Sequence, residues 1–229
     1  MNSRKFYLFA GFLLACSAGG AFADTPGITV DKDKKCVSID AKMAIRKLPQ
    51  LDQIYPIEVI ACWAHDRKEG KGQKAHETIV TIDVPPSEVH KALESIGLKP
   101  GAPVKGGDVP CTGPDVNVFI EFKGDGGATK RVSMDKALLD PKSKAPFPKS
   151  VKFRFTGSAI IKPDPNKPET KYGADVSGTL IAIYPVTDET VCQSSLTMKE
   201  EKYLKLETNT AVLPKEGTAV KLVLEAAAK

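Results

Sequence analysis

The chain has 229 residues, of which 41% are hydrophobic and 27% are charged, and its formal net charge is +5 at pH 7. This size fits one domain with a substantial core, and neither an internal repeat nor a domain-length linker is visible. The basic residues are spread along the chain. Because nucleic-acid binding favours a concentrated basic footprint, no nucleic-acid partner is expected.

The N-terminus has the pattern of an export signal. Arg4 and Lys5 precede an apolar run over residues 6–14, and Ala21-Phe22-Ala23 is typical of a signal cleavage site. The run is too short for an ordinary membrane span. We therefore expect a signal peptide over residues 1–23, one domain over residues 24–229, and a periplasmic or secreted location. Loss of Arg4 and Lys5 lowers the formal charge from +5 to +3.

A second interpretation of the N-terminus is a lipoprotein signal. The segment Leu13-Leu14-Ala15-Cys16 resembles a bacterial lipobox, although Leu14 is larger than the residue usual at its place. Cleavage before Cys16 would make that residue the lipidated N-terminus. The protein would then be anchored to the envelope membrane through its lipid, which is the one membrane association expected.

Four cysteines remain in the domain under either interpretation: Cys36, Cys62, Cys111 and Cys192. In an exported protein they can form two disulfides with three possible connectivities, or they can stay as buried thiols. Of the connectivities we favour Cys62–Cys111 with Cys36–Cys192. The wide spacing argues against a redox pair or an iron–sulfur cluster, because both need closely spaced cysteines.

The first half of the domain alternates short strands with one helix. Residues 37–43 and 57–61 have the period-two pattern of strands, and the charged segment 65–74 is expected to be a hairpin loop leading into a strand over residues 79–84. Pro85 and Pro86 end that strand.

A helix follows with strong signals at both ends. Ser87 is placed as its N-cap, and Val89, Ala92, Leu93 and Ile96 form one apolar stripe. Gly97 is expected in the left-handed conformation that ends a helix, and Pro100 prevents continuation.

The second half is read as strands joined by loops. Strands are predicted over residues 116–122, 128–133, 151–156, 179–184, 204–206 and 220–224, whereas residues 187–199 have no clear period. Residues 162–171 are expected to be an exposed hairpin loop. About nine strands to one good helix indicate an α+β fold, with a mostly antiparallel, β-rich sheet and the main helix packed on one face.

The stretch from His76 to Val104, HETIVTIDVPPSEVHKALESIGLKPGAPV, which holds the strand over residues 79–84, the helix and its exit loop, resembles the YdjY-like domain family of exported bacterial proteins. The resemblance continues through IEVIACW, TGPDVNVFIEF, FRFTGSAII and residues 217–224, and so covers most of the mature chain. It implies a location class and a fold but no reaction. Some members carry a clustered-cysteine run, which this chain lacks, so an iron–sulfur role is not implied.

Several residues are candidates for chemistry. Cys62 and His65 have the spacing of two metal ligands, although a closed zinc site usually needs four. His76 and Glu77 could form an acid–base pair, and Ser158 could be a nucleophile, although no G-x-S-x-G elbow surrounds it. His90 flanks the apolar stripe of the helix and is expected to be a core-edge histidine bonded to the backbone.

The leading hypothesis is a non-catalytic binding or structural module of the cell envelope, with an envelope protein or ligand as its partner and no cofactor. The alternatives are a metal- or redox-linked protein using Cys62 and His65, and a hydrolase using His76, Glu77 and Ser158.

Overall fold

The computed structural model describes residues 25–47, 51, 53–64, 74–124, 126–202 and 204–228. Strands dominate these residues. The strands are β1 (Ile28–Asp31), β2 (Cys36–Met43), β3 (Val59–Trp63), β4 (Thr78–Ile82), β5 (Asp115–Lys123), β6 (Thr129–Ser133), β7 (Leu138–Leu139), β8 (Phe153–Phe155), β9 (Ile160–Ile161), β10 (Lys171–Tyr172), β11 (Thr179–Ala182), β12 (Thr190–Ser194), β13 (Glu207–Thr208) and β14 (Ala219–Ala226). The helices are α1 (Pro86–Ser95), α2 (Met134–Ala137), α3 (Gly173–Ser177) and α4 (Met198–Glu201), and a 3-10 turn spans Ala75–Glu77.

Eight strands close into a barrel in the order β2, β14, β5, β8, β12, β11, β3, β4 and back to β2. The pairing of β4 with β2, in which Ile82 faces Ala41, closes the ring. The predicted α+β fold is therefore wrong, although the sheet is β-rich and mainly antiparallel as expected. Side-chain patterns predict most of the barrel strands, but they do not reveal that the first and last strands of a sheet pair with each other.

The hairpin predicted over residues 65–74, between β3 and β4, is also wrong. β3 and β4 are parallel neighbours, with Val59 opposite Thr78 and Ala61 opposite Val80. A parallel pair needs a crossover connection, because the chain must return to the starting end of the first strand. Most of that connection, residues 65–73, lies outside the described part of the chain.

Helix α1 closes one end of the barrel instead of covering a sheet face. It contacts β2 and β12, which lie opposite each other in the ring of eight strands. Its predicted apolar stripe is confirmed, since Val89, Ala92, Leu93 and Ile96 are all buried. Those side chains therefore fill the open end of the barrel and seal its interior from water.

The ends of α1 are partly as predicted. The helix begins at Pro86, one residue before the expected cap, and the backbone N–H of Ser87 donates to Asp175 Oδ1 at 2.8 Å. A carboxylate from another element thus replaces the hydroxyl cap. Gly97 has the expected left-handed conformation, with φ of 90°, and Leu98 N donates to the Leu93 carbonyl at 3.3 Å.

Apolar side chains from all sides fill the barrel interior. Along β2 the alternate residues Val37, Ile39, Ala41 and Met43 are buried, whereas Asp40 and Lys42 are exposed on the outer surface. Strand β12 was missed from the sequence because all five of its residues are buried although three of them, Thr190, Gln193 and Ser194, are polar. It therefore has neither a polar and apolar alternation nor the continuous apolar run that predicts β11.

Candidate functional site

The candidate residues do not converge on one cleft. His76 and Glu77 lie in the 3-10 turn that enters β4, whereas His90 lies on the helix that follows β4. The two histidines therefore occupy opposite ends of that strand. His65 and Cys16 lie outside the described residues.

The His76–Glu77 pair is present as an ion-pair geometry. His76 Nε2 lies 3.8 Å from Glu77 Oε2, and the Tyr55 ring meets the imidazole edge-on with 5.4 Å between centroids. Burial raises the pKa of Glu77 above its ordinary value. Burial, followed by repulsion from Glu77, raises the pKa of the neighbouring Glu58 as well. This end of the barrel therefore holds two carboxylates that ionise with more difficulty than in water.

Arg46 organises this end and was not identified from the sequence. Its side chain is 5% exposed, its Nε donates to the His76 carbonyl at 3.3 Å, and its Nη1 donates to Glu207 Oε2 at 3.1 Å. Its Nη2 donates to the Tyr55 carbonyl. One buried guanidinium thus ties three separate segments together. A single arginine after a strand gives no periodic signal, which is why the sequence does not reveal this role.

At the other end, His90 bonds to side chains and not to the backbone as expected. Its Nδ1 shares a hydrogen bond of 2.7 Å with the Tyr172 hydroxyl, and its Nε2 lies 3.5 Å from Glu94 Oε1. Its ring packs edge-on against Phe155 and Tyr172, at 4.9 and 5.4 Å between centroids. Burial lowers the pKa of His90, and the Glu94 carboxylate opposes that shift.

Close backbone approaches surround His90. A Cβ on Gly101 would lie 2.1 Å from the Thr112 carbonyl oxygen, and one on Gly157 would lie 2.9 Å from Pro100 Cβ and 3.4 Å from His90 Cε1. The segments PGAPV, TGP and FRFTG, singled out in the sequence, meet here. Their glycines allow the chain to pack closely around α1, which is a structural role.

Ser158 has no histidine among its hydrogen-bond partners. Its Oγ accepts from the Ala174 backbone N–H at 2.9 Å and donates to the Ala159 carbonyl at 3.1 Å. These contacts fix the start of α3. The arrangement does not place the hydroxyl as a nucleophile beside His76 or Glu77.

All four described cysteines are free thiols. The favoured Cys62–Cys111 and Cys36–Cys192 bridges are not formed in this structure, and the alternative of buried thiols describes Cys62, Cys111 and Cys192. Cys111 donates to the Ser194 carbonyl at 3.2 Å. Burial raises the pKa of each thiol, so none has the depressed value of a reactive thiolate. In the described part of the chain, no cluster of three or more His, Cys, Asp or Glu residues could hold a metal.

A groove lies on the outer surface of the barrel, and neither histidine lines it. Its volume is about 410 Å³. It is lined by Asp40, Ala41, Lys42, Asp83, Glu121, Phe122, Lys123, Thr129, Ala219, Val220 and Lys221. Ala219 on β14 faces Lys42 on β2, and two residues along the same strand Lys221 faces Glu121 on β5. The small methyl group of Ala219 leaves room beside these long side chains. Sequence periodicity marks its outward-facing residues, such as Asp40, Lys42 and Lys221, only as polar positions.

The fold and this groove define a β-barrel domain with a packed interior and a binding-sized depression on its outer surface. The chain belongs to the YdjY domain family, whose sequence model matches residues 28–225. The family resemblance seen in the sequence is thereby confirmed. No curated protein and no solved structure was found to match the chain. None of the helices in the described ranges has the length and apolarity that a bilayer crossing requires.

Proposed function

We propose that this protein is an exported, non-catalytic binding module of the cell envelope, which holds its partner or ligand in the outer groove around Ala219. The basic and apolar N-terminus and its cleavage site support export. The groove carries the binding part of the proposal, because its volume of about 410 Å³ falls in the range of small-molecule sites, about 300–1,000 Å³.

Two further observations support binding over catalysis. Buried apolar side chains fill the interior of the barrel and form its hydrophobic core. Contacts with a partner are therefore made on the outer surface. The residues with catalytic potential are separated, since His76 and Glu77 lie at one end of β4 and Ser158 bonds only to backbone groups. A nucleophile and its base must lie within hydrogen-bond reach to act together.

The groove is tested by NMR titration of the purified mature protein with 1-decanol, a neutral apolar probe. Chemical-shift changes are expected for Ala219, Val220 and Phe122. Ala219→Trp fills the groove and is expected to abolish them, whereas Ala211→Trp, at an exposed position outside the groove, is expected to leave them unchanged.

Equal binding by both tryptophan variants would contradict the groove assignment. Turnover of a substrate that is lost in His76→Ala, with the fold intact, would contradict the non-catalytic proposal. Mass spectrometry of the mature N-terminus tests export, with Asp24 first for the cleaved signal and a lipidated Cys16 first for the anchored form.

A further inference from the structure

The lining of the groove carries information about the chemistry of its ligand. Its apolar surface includes the exposed Ala219 and the half-buried Phe122, whereas Ala41 and Val220 also line it but are core residues that expose little of their side chains. The aliphatic stems of lysines beside them add further apolar surface, as long charged side chains commonly do. A ligand in this groove therefore needs an apolar body.

The charges around the groove are largely neutralised within the protein. Lys42 Nζ lies 3.6 Å from Asp83 Oδ2, and Lys221 Nζ pairs with Asp40. The Glu121 carboxylate, the third acidic group of the groove, lies 3.2 Å from Arg131 Nε. These three carboxylates have cationic partners already, so they do not call for a cation on the ligand.

Lys123 differs from the other two lysines of the groove. Its Nζ donates to Thr129 Oγ1 at 2.9 Å, and among the described residues no carboxylate lies within ion-pair distance of it. An ammonium group has three donors, so two remain for a ligand. Within the described part of the chain, the groove thus combines an apolar lining with one lysine that has no ionic partner.

Building on the proposed function, we infer that the groove binds an aliphatic monocarboxylate, with the chain over Ala219 and the carboxylate on Lys123. Binding is non-covalent, so the ligand leaves unchanged. A neutral ligand forfeits the charge contact, and a cationic ligand meets the Lys123 ammonium unfavourably.

The experiment compares three ten-carbon probes by calorimetric or NMR titration at pH 7 and low salt: decanoate, 1-decanol and decyltrimethylammonium. The native protein is expected to bind decanoate about fivefold more tightly than decanol, the effect of one exposed ion pair. Decyltrimethylammonium is expected to bind most weakly. Raising the salt concentration is expected to reduce the decanoate preference because it screens exposed charges.

Lys123→Met removes the charge but keeps an unbranched apolar side chain, and it is expected to abolish the preference for decanoate while decanol binding stays. Lys130→Met is the matched control, because Lys130 lies on the same hairpin but outside the groove. It is expected to keep the fivefold preference.

Equal affinity of the native protein for decanoate and decanol, or a preference that survives in Lys123→Met, would overturn the inference and leave the groove standing as an apolar site. If no probe binds in a manner that Ala219→Trp blocks, the proposed function fails together with it. The two failures are therefore separable.

Discussion

Each end of the barrel carries a histidine, and the environments of the two histidines differ. At the α1 end, His90 is held among aromatic rings and bonded to the Tyr172 hydroxyl. At the opposite end of β4, His76 stands beside Glu77, on a turn whose carbonyl is held by the buried Arg46. The same residue type is part of a packed seal in one place and of a charged, partly exposed edge in the other.

The stability of the two ends is expected to depend on pH in opposite directions. Burial lowers the pKa of His90, so its contribution to stability is complete above its unfolded pKa of about 6.5 and is lost as pH falls through the folded value. Burial raises the pKa of Glu77 and Glu58, so their favourable contribution exists below about pH 4.3 and is lost as pH rises. A fall in pH therefore destabilises the α1 end of the barrel and stabilises the end that carries Glu58 and Glu77.

The largest effect is expected at the Arg46 end. Arg46→Met is expected to lower the free energy of unfolding by about 3 kcal/mol, because it leaves the carbonyls of Tyr55 and His76 and the Glu207 carboxylate without their donor. Urea denaturation measures the change. Lys47→Met, at the exposed neighbouring position, is the control and is expected to change stability by less than about 0.5 kcal/mol. Equal effects of the two variants would show that the guanidinium does not hold this end together.

An intermediate effect is expected at the α1 end. His90→Leu is expected to cost about 1–2 kcal/mol at pH 7, since the Tyr172 hydroxyl loses its partner and the ring contact with Phe155 is lost. The difference in unfolding free energy between the native protein and the variant is expected to narrow as pH falls from 7 to 5. Only the native protein has a buried imidazole at this position, and it loses stability when acid protonates that group. Denaturation at several pH values measures it. A difference that stays constant over that range would contradict the assignment of a lowered pKa.

The smallest effect is expected from a stabilising change. Glu77→Gln removes a half-buried carboxylate whose pKa is raised by burial, and it is expected to increase the free energy of unfolding at pH 7 by up to about 1 kcal/mol. This gain in stability is expected to disappear near pH 4, because the Glu77 carboxyl of the native protein is then protonated and uncharged, like the amide of the variant. Glu216→Gln, at an exposed position, serves as the control. A loss of stability in Glu77→Gln would mean that the ion pair with His76 outweighs the cost of burial.

Local signals in the chain determined much of the secondary structure. The strands β2, β5 and β14 and the stripe on α1 follow from side-chain periodicity, and Gly97 ends the helix because it tolerates a left-handed backbone. The family also follows from local segments. These features are readable because they depend on neighbours in sequence.

The tertiary structure alone decided the rest. Barrel closure depends on Ile82 pairing with Ala41, and the groove depends on β14, which carries Ala219, lying between the sequence-distant strands β2 and β5. Arg46 acts on carbonyls of distant segments, and the cysteines are free thiols although their number permits two bridges. Periodicity reports which face of a strand is buried but not which strand lies beside it, so these contacts required the folded chain.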